Sequence, residues 1–284
     1  MTNVEKSRRL RELILAEETL VMPDAFDPIS ARIIEGLGFK AVQCSGFSMA
    51  LSAMQPTEAD LGMEKNLNAS RAIVNTVELP VMADGEDGFG GPEDIARTVR
   101  AYVEAGLAGI NFEDQVLGQP GPKRIVSSEM MVEKLRNARK AAKEANNAEF
   151  VINGRTDALA VSSDRQAGLK EAAARANAYL SAGSDLAFVT AVATMDEVQF
   201  LLKEIKGPIT IAAGMPYNIK TLSIKALKEA GVARVSLPSV AIFSVVKAVT
   251  DTLRSIRDTE DFAEILATTK ICRMEDIAAL LKRE

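Results

Sequence analysis

Residues 80–112 read PVMADGEDGFGGPEDIARTVRAYVEAGLAGINF. The run at 80–84 is short and nearly all apolar, as expected of a strand covered on both faces of a parallel sheet. An acid- and glycine-rich turn follows at 84–91. Pro92 then stands where a first helical turn tolerates proline, and Ile95, Val99 and Tyr102 share one helical face. Gly106 occupies the place of a left-handed helix cap before the next apolar run, 108–112. Strand, loop, helix, glycine, strand is one βα repeat.

The same punctuation extends in both directions. Apolar runs at 19–23, 40–44, 149–153, 185–189, 208–212 and 233–237 bring the predicted strands to eight. Gly36, Gly183 and Gly231 each separate a helical stretch from the next strand. Thr194 and Glu197 form a capping-box pattern, followed by Val198, Leu201, Leu202 and Ile205 at helical spacing. Eight βα units in 284 residues, with no linker-like stretch, predict an α/β fold of the (β/α)8 TIM-barrel type over 1–257. The last barrel helix is expected at about 239–257. Residues 258–284 then form a C-terminal helical extension. Its apolar positions, Phe262, Ile265 and Leu266, then Met274, Ile277 and Leu281, are expected to pack on the barrel or on a neighbouring subunit. Such a face predicts a homodimer or homotetramer.

Composition removes several classes of function. The chain has no His, which excludes Ser-His-Asp and Cys-His mechanisms and the usual zinc sites. A net charge of −5 without a basic cluster argues against nucleic acid as a partner. No apolar run reaches the ~20 residues of a membrane span, and the first residues do not read as a signal peptide. Cys44 and Cys272 read as reduced thiols of a cytoplasmic protein, Cys44 most simply as core packing and Cys272 as structural.

In such a barrel the active site lies at the carboxyl ends of the strands. Strand 3 runs out into Asp84, Glu86 and Asp87, and strand 4 into Glu113 and Asp114. So many acids cannot all stay ionised together without a cation, and an all-oxygen set suits Mg2+ or Mn2+. Asp84, Glu86 and Glu113 are the candidate metal ligands, some binding directly and others through water. Asp87 and Asp114 fit helix capping equally well. Arg155 ends strand 5, where it pairs with Asp157 or another acid, or holds a substrate carboxylate. Ser45, Gly46 and Phe47 offer a hydroxyl and neighbouring backbone N–H groups to an anionic oxygen of the substrate. Phe47 and Phe89 either line the pocket or pack beneath the acid loop. Tyr217 is a further rim candidate.

At these residues the sequence resembles the isocitrate lyase / phosphoenolpyruvate mutase superfamily. DAFDPISARI at 24–33 and SGFS at 45–48 are similar to its first βα segment and its oxyanion-binding segment. DGEDGFGG at 84–91 resembles the metal loop, GINFEDQV at 109–116 the strand-4 glutamate, and GRTDAL at 154–159 the strand-5 arginine. ADLG at 59–62 looks like the segment with a site aspartate, here Asp60. The resemblance implies a Mg2+-dependent barrel that binds small 2-oxo or 2-hydroxy carboxylates. It breaks or forms a C–C or P–C bond beside an oxyanion. It also implies dimers or tetramers that exchange the last barrel helix.

The chain departs from the family in one loop. Methylisocitrate-type lyases carry K-[KR]-C-G-H after the strand-4 glutamate; here 115–128 reads QVLGQPGPKRIVSS, without Cys or His. The Lys-x-Asn-Ser of the phosphonomutases is missing too, the second metal-loop acid is Glu86, and Thr190 stands where lyases often have Glu. The expected activity is a Mg2+-dependent C–C lyase, or a decarboxylase, for a small 2-oxo or 2-hydroxy di- or tricarboxylate. Asp60, Lys123 and Arg155 are its expected catalytic residues. Asp84 and Arg155, with Ser45 to Phe47, are expected to hold substrate. The catalytic proton would come from Lys123, Tyr217, a water on the metal, or solvent. The alternatives are a phosphonopyruvate-type mutase or hydrolase, and a binding homologue without catalysis. The loop, rich in Gly and Pro, reads as a lid unsuited to helix or strand.

Overall fold

A computed structural model describes residues 1–268 and 271–282. Eight parallel strands close into a barrel in sequence order. They are β1 (Leu20–Ala25), β2 (Val42–Cys44), β3 (Val81–Asp84), β4 (Gly109–Glu113), β5 (Val151–Thr156), β6 (Leu186–Val189), β7 (Ile209–Ala212) and β8 (Arg234–Leu237). β1 closes the ring on β8, pairing Leu20 with Arg234 through Pro23 with Leu237. All eight predicted strands are present. β5 runs three residues beyond its predicted end, which carries Arg155 and Thr156 inside the ladder.

The helices before the acid loop are α1 (Asn3–Leu15), α2 (Pro28–Gly36), α3 (Gly46–Ser52) and α4 (Glu58–Val74). Those that follow it are α5 (Ile95–Glu104), α6 (Ser128–Glu144), α7 (Ala158–Val161), α8 (Arg165–Ser181), α9 (Met195–Glu204) and α10 (Ile224–Glu229). The chain ends in α11 (Val240–Thr259), α12 (Ala263–Ala267) and α13 (Met274–Leu281). α1 lies outside the βα repeat. Its Leu10, Leu13 and Ile14 join Leu20, Met22, Met82 and Val151 in one apolar cluster, so α1 plugs the end of the barrel opposite the acid loop.

Local signals are met with two corrections. The Thr194–Glu197 capping box is present, and Gly106, Gly183 and Gly231 have φ of 89°, 112° and 82°. Pro92 is not in the first turn of a helix. α5 begins at Ile95, because Asp94 turns its carboxylate back to the Gly91 N–H at 3.0 Å. Gly36 is still helical, and Gly38, at φ 81°, is the left-handed residue after α2. α4 is broken at Gly62, where φ is 69°.

α11 does not settle on the barrel. Of its 20 residues only Ile242 is buried, while Val245, Val246, Val249 and Leu253 stay exposed. Its first turn touches the rim through Phe243, which meets Phe47 edge-on at 6.0 Å. Ile265 is buried in its own chain, whereas Phe262 and Leu266 are exposed. α13 stands beside α2, where Arg32 Nε donates to the Leu280 carbonyl at 3.0 Å. Cys44 is buried, as core packing requires; Cys272 is exposed rather than packed. No described helix is long and apolar enough to cross a membrane.

Candidate active site

A cleft of about 320 Å3 opens at the carboxyl ends of the strands. Its walls carry Asp24, Ser45, Phe47, Glu58, Asp84, Glu86, Asn111, Lys123, Arg155, Asp157, Thr190 and Tyr217. Ala160, Phe188, Met215 and Pro238 form an apolar side.

Asp84 is the most firmly held acid. Its Oδ1 accepts from Asn111 Nδ2 at 2.5 Å and Gln43 Nε2 at 3.1 Å, and its Oδ2 accepts from the Gly46 N–H at 2.9 Å. The Gly46 N–H therefore serves Asp84 and is not free for substrate, contrary to the expectation that it binds an anion. Ser45 Oγ accepts from the Ser48 N–H at 3.2 Å, which leaves the hydroxyl proton available at the cleft wall.

Glu86 follows in a strained loop. Glu86 and Phe89 sit at φ 51° and 56°, a region that L-residues rarely adopt. Four contacts impose this path. Gly85 N donates to Asn111 O at 2.8 Å, Glu113 N to Glu86 O at 2.9 Å, Lys134 Nζ to Asp87 O at 2.6 Å, and Thr98 Oγ1 to Gly88 O at 2.8 Å. Asn66 Nδ2 reaches Glu86 Oε1 at 3.3 Å, and Asn66 Oδ1 is fixed by the Tyr102 hydroxyl at 2.8 Å. Phe89 packs against the core beneath the loop, and Phe47 lines the cleft.

Glu113 lies behind Arg155 rather than on the cleft wall, with Arg155 Nη1 2.5 Å from its Oε2. Arg155 also donates through Nε to Asp157 Oδ2 at 2.9 Å, and Lys123 Nζ reaches Asp157 Oδ1 at 2.8 Å. Burial favours the neutral form of Asp157, but Arg155 and Lys123 outweigh it and hold its pKa at about 2. Glu113 shares the same guanidinium with Asp157. Burial dominates there and pushes its carboxyl up to about 8. Glu86 is pushed well above the carboxylate range by burial, then by the charges of Asp84 and Glu113.

Asp114 and Asp87 are structural. Asp114 is fully buried and accepts from Thr156 Oγ1, Tyr179 OH and Arg175 Nη1 at 2.7, 2.7 and 3.1 Å. Asp87 Oδ1 accepts from the Phe89 N–H at 2.9 Å within the loop. Asp60 is exposed and faces Thr57, whose hydroxyl it accepts at 2.7 Å. It does not line the cleft; Glu58, two residues earlier, does. The loop after β4 folds over this side. Its base pairs as a short antiparallel ladder, with Gln115 bridged to Ile125 and Val116 N bonded to Arg124 O at 2.9 Å. The part between turns without regular structure.

The donor chemistry fits a hard divalent cation: the oxygens of Asp84 and Glu86 converge on the cleft wall, and burial, with the neighbouring acids, disfavours the charge on Glu86. Among the described residues no three acids converge on one point. An ion would be held directly by one or two carboxylates and otherwise by water, which is how Mg2+ is commonly bound. Asp84 and Glu86 are the two metal candidates on the cleft wall.

Fold and cleft place the chain among (β/α)8-barrel proteins with a site at the carboxyl ends of the strands. Residues 10–257 match the phosphoenolpyruvate phosphomutase family, and the chain belongs to it, within the isocitrate lyase / phosphoenolpyruvate mutase superfamily. It is 33% identical to 2,3-dimethylmalate lyase of Eubacterium barkeri, over 92% of this chain and 89% of that protein. Among solved structures it is similar to phosphoenolpyruvate phosphomutase of Streptomyces platensis subsp. rosaceus, with a TM-score of 0.85 and 26% identity, covering 96% of this chain and 94% of that one. It is also similar to oxaloacetate acetylhydrolase bound to 3,3-difluorooxalacetate, with a TM-score of 0.82 and 25% identity, covering 90% and 87%.

Proposed function

We propose that the protein is a Mg2+-dependent lyase that breaks a carbon–carbon bond in a small 2-hydroxy or 2-oxo dicarboxylate, releasing one fragment as an enolate. The observation that carries this reading is Asp84, pinned by three donors at the floor of a cleft where Arg155 is the only guanidinium among the described lining residues. Two cationic side chains, Lys123 and Arg155, face five carboxylates on the described walls. The apolar side of the cleft, Phe188, Ala160, Met215 and Pro238, offers a further carboxylate no charged partner. A dicarboxylate therefore suits the cleft better than a tricarboxylate. Decarboxylation of a 2-oxo diacid uses the same groups.

Asp84 and Glu86 would hold the ion, with Mn2+ a possible substitute for Mg2+. When bound, it supplies electrostatic stabilisation for the negative charge that develops on the substrate oxygen during cleavage. Arg155 offers a carboxylate a planar fork of donors, stacked 5.7 Å over Phe188 and oriented by Asp157. Ser45 Oγ–H is a further donor to an anionic oxygen. Lys123 and Tyr217 are the proton-bearing side chains beside the cleft, and burial raises the Tyr217 pKa, so it keeps its proton. The β4 loop shields the site from water. Asp60, outside the wall, has no part in this scheme.

The exposed apolar face of α11 supports a homodimer or homotetramer. Two unpaired thiols fit a cytoplasmic setting. Likeness to a phosphomutase favours the second reading, P–C bond chemistry, but the loop lacks the Lys-x-Asn-Ser of that enzyme class.

The test is a panel of 2-hydroxy and 2-oxo diacids with Mg2+, reading pyruvate or glyoxylate release. Turnover that chelator abolishes and added Mg2+ restores is expected. Full activity in excess chelator refutes the metal role. Phosphate release from phosphonopyruvate favours the second reading, and thermal stabilisation by diacids without turnover indicates binding alone.

A further inference from the structure

Asp24 stands near the carboxyl end of β1, on the cleft wall, and is only 3% exposed. The other buried acids of the site are accounted for by their partners. Asp84 has three donors, Glu86 has Asn66, and Glu113 and Asp157 share Arg155. Among the described residues Asp24 forms no ion pair. Ser236 Oγ donates to its Oδ1 at 3.1 Å, and the Leu237 backbone N–H adds a lesser hold. A buried carboxyl without a cation is costly, and the packing of the barrel does not require one there.

Its place in the ring suggests a use. With the strands in sequence order, β1 lies across the barrel mouth from β5, and β3 lies midway between them. Arg155 on β5 and Asp24 on β1 therefore flank the cleft from opposite strands, with Asp84 on β3 between. Lys123 belongs to the Arg155 side, where it is tied to Asp157. Burial, and then the charge of Asp84, push the Asp24 carboxyl well above its ordinary range, while Arg234 opposes them. A cation on Asp84 cancels the second cause and leaves the first. On the neighbouring β2, burial keeps the Cys44 thiol protonated. A carboxyl in such surroundings can both take and return a proton near neutral pH, as general acid–base catalysis requires.

We propose that Asp24 is a catalytic residue, the proton carrier between the 2-hydroxyl of a 2-hydroxy diacid and the carbon that leaves as an enolate. The ionised carboxyl removes the hydroxyl proton, the C2–O bond becomes a carbonyl, and the C2–C3 bond breaks. Its electron pair passes to C3 and the carboxylate attached there, which form the enolate. Asp24 then returns the proton to C3, so no proton, oxidant or reductant is consumed. The step needs neither a His nor a Cys in the β4 loop, and the chain has neither. It rests on the reading of the cleft as a lyase site, and commits that site to hydroxy rather than oxo diacids.

The experiment compares Asp24→Asn and Asp24→Ala with the wild type, all full length. Calorimetry titrates each with Mg2+, then with oxalate in excess Mg2+. Steady-state kinetics use the diacid that the panel identifies. Oxalate has no hydroxyl to deprotonate and reports binding alone. Asp24→Asn keeps the size of the side chain but cannot carry the proton. Its kcat is expected to fall by about a hundredfold to ten-thousandfold, the contribution of a general acid–base group, with both affinities unchanged. In Asp24→Ala, added formate supplies a carboxylate in the emptied space and restores part of the turnover; chloride does not. Loss of Mg2+ or oxalate affinity in step with kcat marks a metal-holding or structural role and overturns the inference. Wild-type kcat in Asp24→Asn overturns it and leaves the lyase reading standing, as does wild-type turnover of oxo diacids alone. Formate without effect on an Asp24→Ala variant that still binds oxalate overturns it even if Asp24→Asn does not fold. If the wild type turns over no diacid of the panel, the lyase reading itself falls, and this inference with it.

Discussion

Glu86 Oε1 fills the space that a Cβ on Gly46 would occupy, 1.8 Å from its ideal position. Gly46 does not have a positive φ. Glycine is needed there for its missing side chain. The same residue gives its N–H to Asp84 Oδ2. One position on α3 thus sets how closely the two acids of β3 and its loop approach.

Gly46→Ala should therefore disturb the acid pair without disturbing the barrel. The clash falls on a side-chain end, so the methyl group displaces the Glu86 carboxylate. Mg2+ affinity is expected to fall by about ten- to a hundredfold, with circular dichroism unchanged. Calorimetry against the wild type is the measurement. Equal affinity would show that Glu86 is not part of the ion's surroundings.

Asp157 makes stability depend on acid pH. Its ordinary pKa of 3.8 falls to about 2 in the folded chain, because Arg155 and Lys123 outweigh its burial. A lowered carboxylate pKa stabilises the fold above the unfolded value and ceases to do so as pH drops through the folded one. The shift corresponds to about 2 kcal/mol. The melting-temperature gap between wild type and Asp157→Asn should be constant from pH 7 to about pH 4, then narrow toward pH 2. A gap that already closes between pH 7 and 5 would assign the effect to another group.

The eight strands were legible because each is a short, nearly continuous apolar run, and the rim acids because each interrupts one. Sequence position alone could not separate Asp114 from Glu113. Both follow the same strand, yet Asp114 points away from the cleft into Tyr179 and Arg175. Asp60 shows the limit of position alone: it is the third residue of α4 and bonds its own N-cap Thr57, so it borders the groove under the β4 loop while Glu58 reaches the cleft wall. Gln43 and Arg234 carried a signal, a polar residue inside an apolar strand. Reading it needs the closed barrel, which brings β2 and β8 within reach of one another across the interior. Asn66 had no signal, since a polar residue on a helix is ordinary. The outward course of α11 was not legible either: its apolar periodicity suits a barrel as well as a partner.

That helix makes association measurable. Val246 and Val249 are about half exposed on α11, on a face that nothing in the described chain covers. Light scattering should give a dimer or tetramer at micromolar concentration. Val246→Asp with Val249→Asp should shift it toward monomer while leaving the barrel's circular dichroism intact. A wild-type monomer refutes the interface.

The β4 loop yields the sharpest contrast, between adjacent residues. Lys123 and Arg124 are both cations at the lid, and on charge alone both would serve as closers. Their side chains part company. Lys123 Nζ turns inward to Asp157, which also orients Arg155. Arg124 turns to Gln119, within the loop itself, at 2.5 Å. Removing Lys123 unties the loop from β5 and strips a cation from the cleft wall, so substrate binding and turnover should both suffer. Removing Arg124 costs an exposed contact only. Lys123→Ala is expected to raise KM and lower kcat together, and Arg124→Ala to leave both near the wild-type values. Stability should change little in Arg124→Ala, whose lost contact is exposed, and fall modestly in Lys123→Ala, because its partner Asp157 is fully buried. Steady-state kinetics on the diacid that the panel identifies decide the matter. Equal losses in the two variants would mean that net charge over the cleft, rather than the Lys123–Asp157 tie, is what the loop provides.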